Sequence, residues 1–304
     1  HARALEKWRS GANSGYAPAQ WALGYLFEKG QGTQSSISEA ASWYRKAADQ
    51  GLPGAQFALG GMYERGQGVS QSDSEAFTLF SKAADRGYPP AIVALGSMYE
   101  RGKGTAKDVS KAFELYKKAS DLDAAPGHFA LARAYGSGIG VEKNLTEAGN
   151  LLRKAADMGN EAAQVTLGTQ YMQGSGGMSK NQEEAITWFK KAAEKNYPSA
   201  YYQLGAAYEA GTGVTLDIGT ARDYYTKAAK GGLKDAEVAL SRMKSQADNQ
   251  RAAERASGDK TDAQQCDRFN AFEDAPERGI RKAYFGFIDT DQALTPCLAA
   301  YKKN

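Results

Sequence analysis

The sequence predicts an all-α fold, a solenoid of helix pairs repeating about every 36 residues, followed by a small C-terminal segment of different character. Three observations carry this prediction. The strings Leu59-Gly60-x-x-Tyr63-x-x-Gly66-x-Gly68-Val69 and Leu95-Gly96-x-x-Tyr99-x-x-Gly102-x-Gly104-Thr105 stand 36 residues apart. The same frame recurs at Leu23-Gly24, Leu131-Ala132, Leu167-Gly168 and Leu204-Gly205, with one inserted residue near Gly176-Gly177. Each string is followed by an Ala, an aromatic or Leu four residues on, and then Lys-Ala-Ala or Lys-Ala-Ser, as at Ala76/Phe80/Lys82 and Ala185/Phe189/Lys191. Six full units run from about Ala19 to Leu233, with half a unit before them (Ala4, Trp8, Ala12, Gly15) and half after (Ala236, Leu240).

The elements within a unit follow in order. Ala55, Ala58, Leu59, Met62 and Tyr63 share one face at helical spacing and define the first helix. A small-residue column (Gly24, Gly60, Gly96, Ala132, Gly168, Gly205) lets a neighbouring helix approach, which offsets the roughly 1 kcal/mol that glycine costs mid-helix. Ser36, Ser72, Asp108, Asn144, Asn181 and Asp217 are N-caps of the second helix. Three residues on stand Glu39, Glu75, Lys111, Glu147, Glu184 and Thr220, so the four Glu positions complete capping boxes in pattern. Gly51, Gly87, Asp123, Gly159, Asn196 and Gly232 end that helix with residue types suited to the left-handed C′ position. No strand pattern competes.

This A-x-x-x-L-G-x-x-Y-x-x-G-x-G-V string, with A-x-x-x-Y-x-K-A-A-x-x-G downstream, resembles the Sel1-like repeat family over residues 4–244. These are relatives of tetratricopeptide repeats. The resemblance implies a right-handed α-solenoid with a concave face, acting as a non-enzymatic scaffold for a protein partner. Two family roles fit: an adaptor or regulator in a bacterial envelope, or an immunity protein that captures a secreted effector such as a type VI phospholipase.

The solenoid is expected over residues 1–244, a capping helix over 245–257, and a further segment over 258–304 opening on a loop at Gly258–Asp262. The chain's two cysteines, Cys266 and Cys297, both fall in that last segment. They read as a disulfide closing a loop of about 30 residues, worth roughly 3–4 kcal/mol in the chain-entropy model; two separate free thiols are the alternative. Cys266-Asp267-Arg268-Phe269 and Ala293-x-x-x-Cys297-x-x-Ala300 also resemble, more weakly, a module at the ends of exported bacterial Sel1-like proteins. A disulfide implies an oxidising compartment, a bacterial periplasm above all. A start at His1 without Met fits removal of a signal peptide.

Composition narrows the function classes. A formal charge of +3 spread along the chain offers no basic arm for nucleic acid. Mean hydropathy is −0.58, and no apolar run approaches the ~20 residues of a transmembrane helix. With His1 terminal and only His128 inside, histidine triads and multi-histidine metal sites are not expected, nor is a cofactor. His128 stands where other units carry Gln20, Gln56 or Gln164 and reads as a solvated surface residue. Gly136-Ser137-Gly138-Ile139-Gly140 follows a helix and lacks the Lys-Ser/Thr of a phosphate loop. Ser241-x-x-Lys244 matches the nucleophile motif of penicillin-recognising enzymes without its companion motifs, and keeps a peptidoglycan- or β-lactam-binding protein or a weak cell-wall hydrolase as the alternative function.

A partner would meet the face of the first helices opposite their packing stripe. Two residues before the Leu column stand Trp21, Phe57, Val93, Phe129, Val165 and Tyr202; after the Gly column come Tyr25 and Arg133; after the Tyr column, Glu64-Arg65 and Glu100-Arg101. Two readings stand. The aromatic column packs repeats together, or it forms, with Tyr25, Glu64, Arg65, Arg101 and Arg133, a protein-binding groove rich in hot-spot residue types.

Overall fold

The described residues are 2–273, with side chains at Glu6 and over 8–255, in a computed structural model. They form helices throughout. The first, α1, is Ala2–Asn13. Six helix pairs follow: α2 (Ala17–Lys29) with α3 (Ile37–Asp49), α4 (Pro53–Arg65) with α5 (Asp73–Asp85), and α6 (Pro89–Arg101) with α7 (Val109–Asp121). Then come α8 (Ala125–Ser137) with α9 (Leu145–Asp157), α10 (Glu161–Gln173) with α11 (Gln182–Glu194), and α12 (Pro198–Ala210) with α13 (Ile218–Lys230). The chain divides into two units, one through Leu233 and one from Lys234, and the second holds α14 (Lys234–Glu273).

Each of α2–α13 has 13 residues because both of its ends are written into the sequence. The first helix of a pair closes on a left-handed glycine (Gly30, Gly66, Gly102, Gly138, Gly174, Gly211), whose N–H returns to the carbonyl four residues back. Five of these helices begin with proline in the first turn, where its missing donor costs nothing. The second helix opens on the expected cap column: Ser36, Ser72, Asp108, Asn144, Asn181 and Asp217 each accept from the backbone N–H three residues on, at 2.9–3.3 Å. The turn that ends it is left-handed at Gly51, Gly87, Asp123, Gly159, Asn196 and Gly232, as the sequence predicts.

One expectation fails in detail. In a capping box the third residue's carboxylate would take the cap's own backbone N–H. Here that N–H already has an acceptor: those of Ser36, Ser72, Asp108, Asn144, Asn181 and Asp217 donate to the carbonyls of Phe27, Tyr63, Tyr99, Tyr135, Tyr171 and Tyr208 at 2.8–3.0 Å. The bond closes the Gly-x-Gly loop and leaves the Glu side chain free for other work, as when Glu184 accepts from Trp188 Nε1 at 2.9 Å.

Packing inside a pair rests on the small-residue column. A Cβ at Gly24, Gly60, Gly96, Gly168 or Gly205 would lie 2.6–2.8 Å from the ring of Tyr44, Phe80, Tyr116, Phe189 or Tyr225. The fourth pair carries Ala132 instead and sets Leu152 in the ring's place, both buried in one cluster. Between pairs, the second loop glycine seats on the preceding second helix. A Cβ on Gly68 would meet the Ile37 carbonyl oxygen at 2.5 Å and one on Gly213 the Gln182 carbonyl oxygen at 2.7 Å. Stacked in this way, helix pairs that cannot bury an apolar face alone form a continuous core, an α-solenoid.

The second unit departs from expectation at its centre. The loop expected over Gly258–Asp262 is helical, and α14 runs unbroken for 40 residues. A single interior glycine costs about 1 kcal/mol and no proline stands in this stretch, while Ala252, Ala253, Glu254, Arg255, Ala263, Gln264 and Gln265 favour the helix on both sides. Cys297 and the Cys266 side chain lie outside the described residues, as does any bond between them.

Candidate functional site

The first helices lie side by side along the array, α6 beside α8 and α10 beside α12. Their outward faces carry the predicted binding residues in two states. Trp21 and Tyr25, one turn apart on α2, are 39% and 42% exposed. Phe57, Phe129 and Tyr202 are half-buried. Phe57 lies between Phe80 and Tyr88, each with ring centroids 5.7 Å away, and Tyr202 packs on Tyr225 at 5.5 Å. Phe129 leans on the cluster that holds Ala132, Leu152 and Leu167. The aromatic column therefore packs with one edge and shows the other.

The charged residues are organised across repeats. Adjacent Glu64 and Arg65 do not pair; Glu64 accepts from Arg101 Nη2 of the next pair at 3.1 Å. Arg133 reaches back from α8 to grip both oxygens of Glu100, at 2.8 and 2.5 Å, and also donates to the Tyr116 hydroxyl at 3.2 Å. Tyr116 itself donates to Glu100 at 2.6 Å. Hydrogen bonds from Arg133 hold the Glu100 carboxyl below its ordinary value despite partial burial, and burial with the Glu100 carboxylate pushes the Tyr116 phenol up. Tyr44 likewise donates to Glu28 at 2.8 Å, and Lys29 donates to the same carboxylate at 2.9 Å. Arg65 is different. Its Nε donates to the neutral Gln67 at 2.8 Å, and it folds over Gly61, where a Cβ would sit 3.1 Å from Nη1.

The sequence reading of His128 is overturned. It is 3% exposed. Its Nδ1 lies 2.6 Å from Ser120 Oγ and its Nε2 3.0 Å from Asp123 Oδ1, which also receives Lys154 at 2.8 Å. The Gln column has the same duty: Gln20, Gln56 and Gln164 are buried and donate from Nε2 to the carbonyls of Ala12, Ala48 and Ala156, at 3.0–3.3 Å. Each staples a first helix to the end of the preceding second helix. Ser120, His128 and Asp123 do make a hydrogen-bonded chain of the kind used in catalysis, but Ser120 Oγ contacts Nδ1, and Ser120 itself is 7% exposed. A nucleophile must reach its substrate, so the arrangement serves packing.

The geometry can be set beside known proteins. The Sel1 repeat family matches residues 17–52, 53–88, 89–123, 125–160, 162–197 and 198–233, one match for each helix pair. This chain belongs to the Sel1 repeat family. Among solved structures, the chain is similar to a Sel1 repeat protein from Oxalobacter formigenes, with 30% identity, a TM-score of 0.58, and 70% of this chain covering 84% of that one. It also resembles a protective antigen of uropathogenic Escherichia coli strains with an SLR fold, at 32% identity and a TM-score of 0.53; 78% of this chain is covered, and it spans 50% of that protein's length. An immunity protein from Pseudomonas aeruginosa shares the fold at 20% identity, with a TM-score of 0.56 over 70% of this chain and 81% of that one. No curated protein sequence matches the chain.

As a Sel1 repeat protein the chain is an array of helix pairs suited to a protein-interaction scaffold. Among the described residues no helix is long and apolar enough to cross a membrane, and no cluster of three His, Cys, Asp or Glu could hold a metal ion. Ser241 and Lys244 of the alternative motif are both exposed on α14.

Proposed function

We propose that this Sel1 repeat protein binds a protein partner along the outward face of its first helices, in a bacterial envelope, as an adaptor or regulator or as an immunity protein neutralising a secreted effector. One observation carries the reading. Positions that hold the array are nearly uniform from unit to unit, whereas the outward positions change. The column after the small residue reads Tyr25, Gly61, Ser97, Arg133, Thr169 and Ala206. Packing demands the same residue type in each unit; recognition of one irregular surface demands a different one. Two exposed aromatic side chains, Trp21 and Tyr25, supply the rigid contact area that dominates interface energies. The envelope location rests on a Cys266–Cys297 disulfide, a bond that lies outside the described residues and side chains.

Affinity capture from the source cells, read by mass spectrometry, tests this directly. Wild-type protein is expected to retain one principal partner, and Trp21→Ala or Tyr25→Ala to retain at least tenfold less at an unchanged melting temperature. Equal retention by the variants would remove the face from the interface.

A further inference from the structure

The charges on the outward face of the first helices nearly cancel, and the exception has a definite place. Glu28 is held by Lys29 and Tyr44, Glu64 by Arg101, and Glu100 by Arg133 and Tyr116. Arg65 makes no direct ion pair among the described residues: it favours the ionised Glu28 carboxylate through space, Lys29 holds that carboxylate directly, and the one hydrogen bond of Arg65 is to the amide oxygen of Gln67. Its guanidinium sits on α4, spread over Gly61, the position at which α2 carries the exposed Tyr25. Trp21 lies a turn further along α2, its Nε1 3.6 Å from the point a Cβ on Gly54 would occupy. The first two repeats thus present two exposed aromatic side chains on α2 and, toward the C-terminal end of α4, an exposed arginine that no carboxylate hydrogen-bonds. Toward the other end of the array the same columns hold Gly136, Ser137, Thr169, Met172, Gln173 and Ala206, and their one charged residue, Glu209, is an anion that accepts from Tyr225.

From this we infer that the partner docks at the first two repeats through an acidic segment: an Asp or Glu carboxylate accepting from Arg65, flanked by apolar side chains that cover Trp21 and Tyr25. A planar guanidinium offers paired donors that match a carboxylate, and a charged pair ringed by apolar contacts is shielded from water and so strengthened. A basic segment would bring its charge to Arg65 with Glu28, Glu64 and Glu100 already occupied, and like charges in contact are costly. The inference rests on the proposed use of this face and adds the partner's chemistry to it.

A random dodecapeptide phage library panned on the full purified chain, and in parallel on Arg65→Glu, tests it. Wild-type protein is expected to enrich peptides with Asp or Glu next to aromatic or branched apolar residues. Arg65→Glu is expected to bind those peptides about tenfold or more weakly and to enrich Lys- or Arg-containing ones instead. Arg65 is exposed, and a matched melting temperature verifies that the variant folds. Wild-type pools no more acidic than the input, or the same pool from both proteins, would overturn the inference. So would a library that yields no enriched peptide on the wild-type chain. Trp21→Ala separates the two readings. If it weakens the selected peptides while they carry no acidic signature, the face is the binding site and the carboxylate is wrong. If neither Trp21→Ala nor Arg65→Glu affects them, the face itself is excluded.

Discussion

Phe80 brings the edge of its ring to within 2.7 Å of the point that a Cβ on Gly60 would occupy. The same contact, a glycine against Tyr or Phe, recurs in five of the six helix pairs, and the fourth exchanges both partners at once for Ala132 and Leu152. The exchange shows that the slot has a fixed volume shared by two side chains.

Gly60→Ala is therefore expected to lower stability by up to about 2 kcal/mol: the methyl overpacks the slot at roughly 1–3 kcal/mol, against about 1 kcal/mol gained in helix propensity. Adding Phe80→Leu, which copies the fourth pair, should cost less than the sum of the two single changes by about 1 kcal/mol. Urea denaturation of the four proteins gives the coupling; strict additivity would show that the ring and the glycine do not share space.

Ser36→Ala should cost about 1 kcal/mol through the lost cap, while Glu39→Ala should change stability by no more than a few tenths. A reciprocal capping box would make both substitutions expensive. Calorimetric melting of the two variants distinguishes a cap of one bond from a box of two.

His128→Gln should be tolerated to within about 1 kcal/mol, because glutamine is the staple used in three other repeats. His128→Ala should cost roughly 2–3 kcal/mol, leaving a cavity and a buried Ser120 hydroxyl without its partner. Thermal denaturation separates them. Equal losses would mean that the imidazole itself is required.

Acid should weaken the junction between the third and fourth repeats. Glu100 titrates below its ordinary value of 4.5 because Arg133 favours the ionised form, so its stabilising contribution is complete above that value and is lost as pH falls through the lowered one. Asp123, held down by Lys154 and then by His128, adds a loss of the same sign. Between pH 5 and pH 3 the wild-type melting temperature should fall further than that of Glu100→Gln. Parallel curves would remove Glu100 from the linkage.

The redox state of the tail has a direct measurement. Peptide mapping without reductant should recover Cys266 linked to Cys297 in protein from its native compartment. Two alkylatable thiols would withdraw the argument for export.

Much of the scaffold is legible before any coordinates. Caps, terminal glycines and the small-residue column are local signals repeated six times, so Ser36, Gly51 and Gly60 have one reading each. What escapes is whatever depends on a neighbour far along the chain. Arg101 follows Glu100 directly yet belongs to Glu64, and the carboxylate of Glu100 is taken by Arg133, 33 residues on. His128 misleads because a lone polar residue on a helix suggests solvent, whereas the polar Gln column had already marked a buried position. That column was visible at Gln20, Gln56 and Gln164, and its regularity was the missed signal. The helix through Gly258 escapes for the opposite reason: a Gly-Asp pair suggests a turn, and the helix formers on either side outweigh it.

The seat of Gly104 on the Asp73 backbone has a consequence for how such chains come into being. Four of the six loops, those of Gly68, Gly104, Gly140 and Gly213, are finished against the repeat that precedes them, so the array can be completed in the order the ribosome delivers it, a new pair finding its template already folded. Because Gly140 rests on Val109 in the matching register, a stretch of one whole repeat can be lost or duplicated and the next loop still meets the surface it needs. Within the array, length is thus quantised: it changes most readily by entire pairs, because a fraction of one would take a loop glycine off its seat.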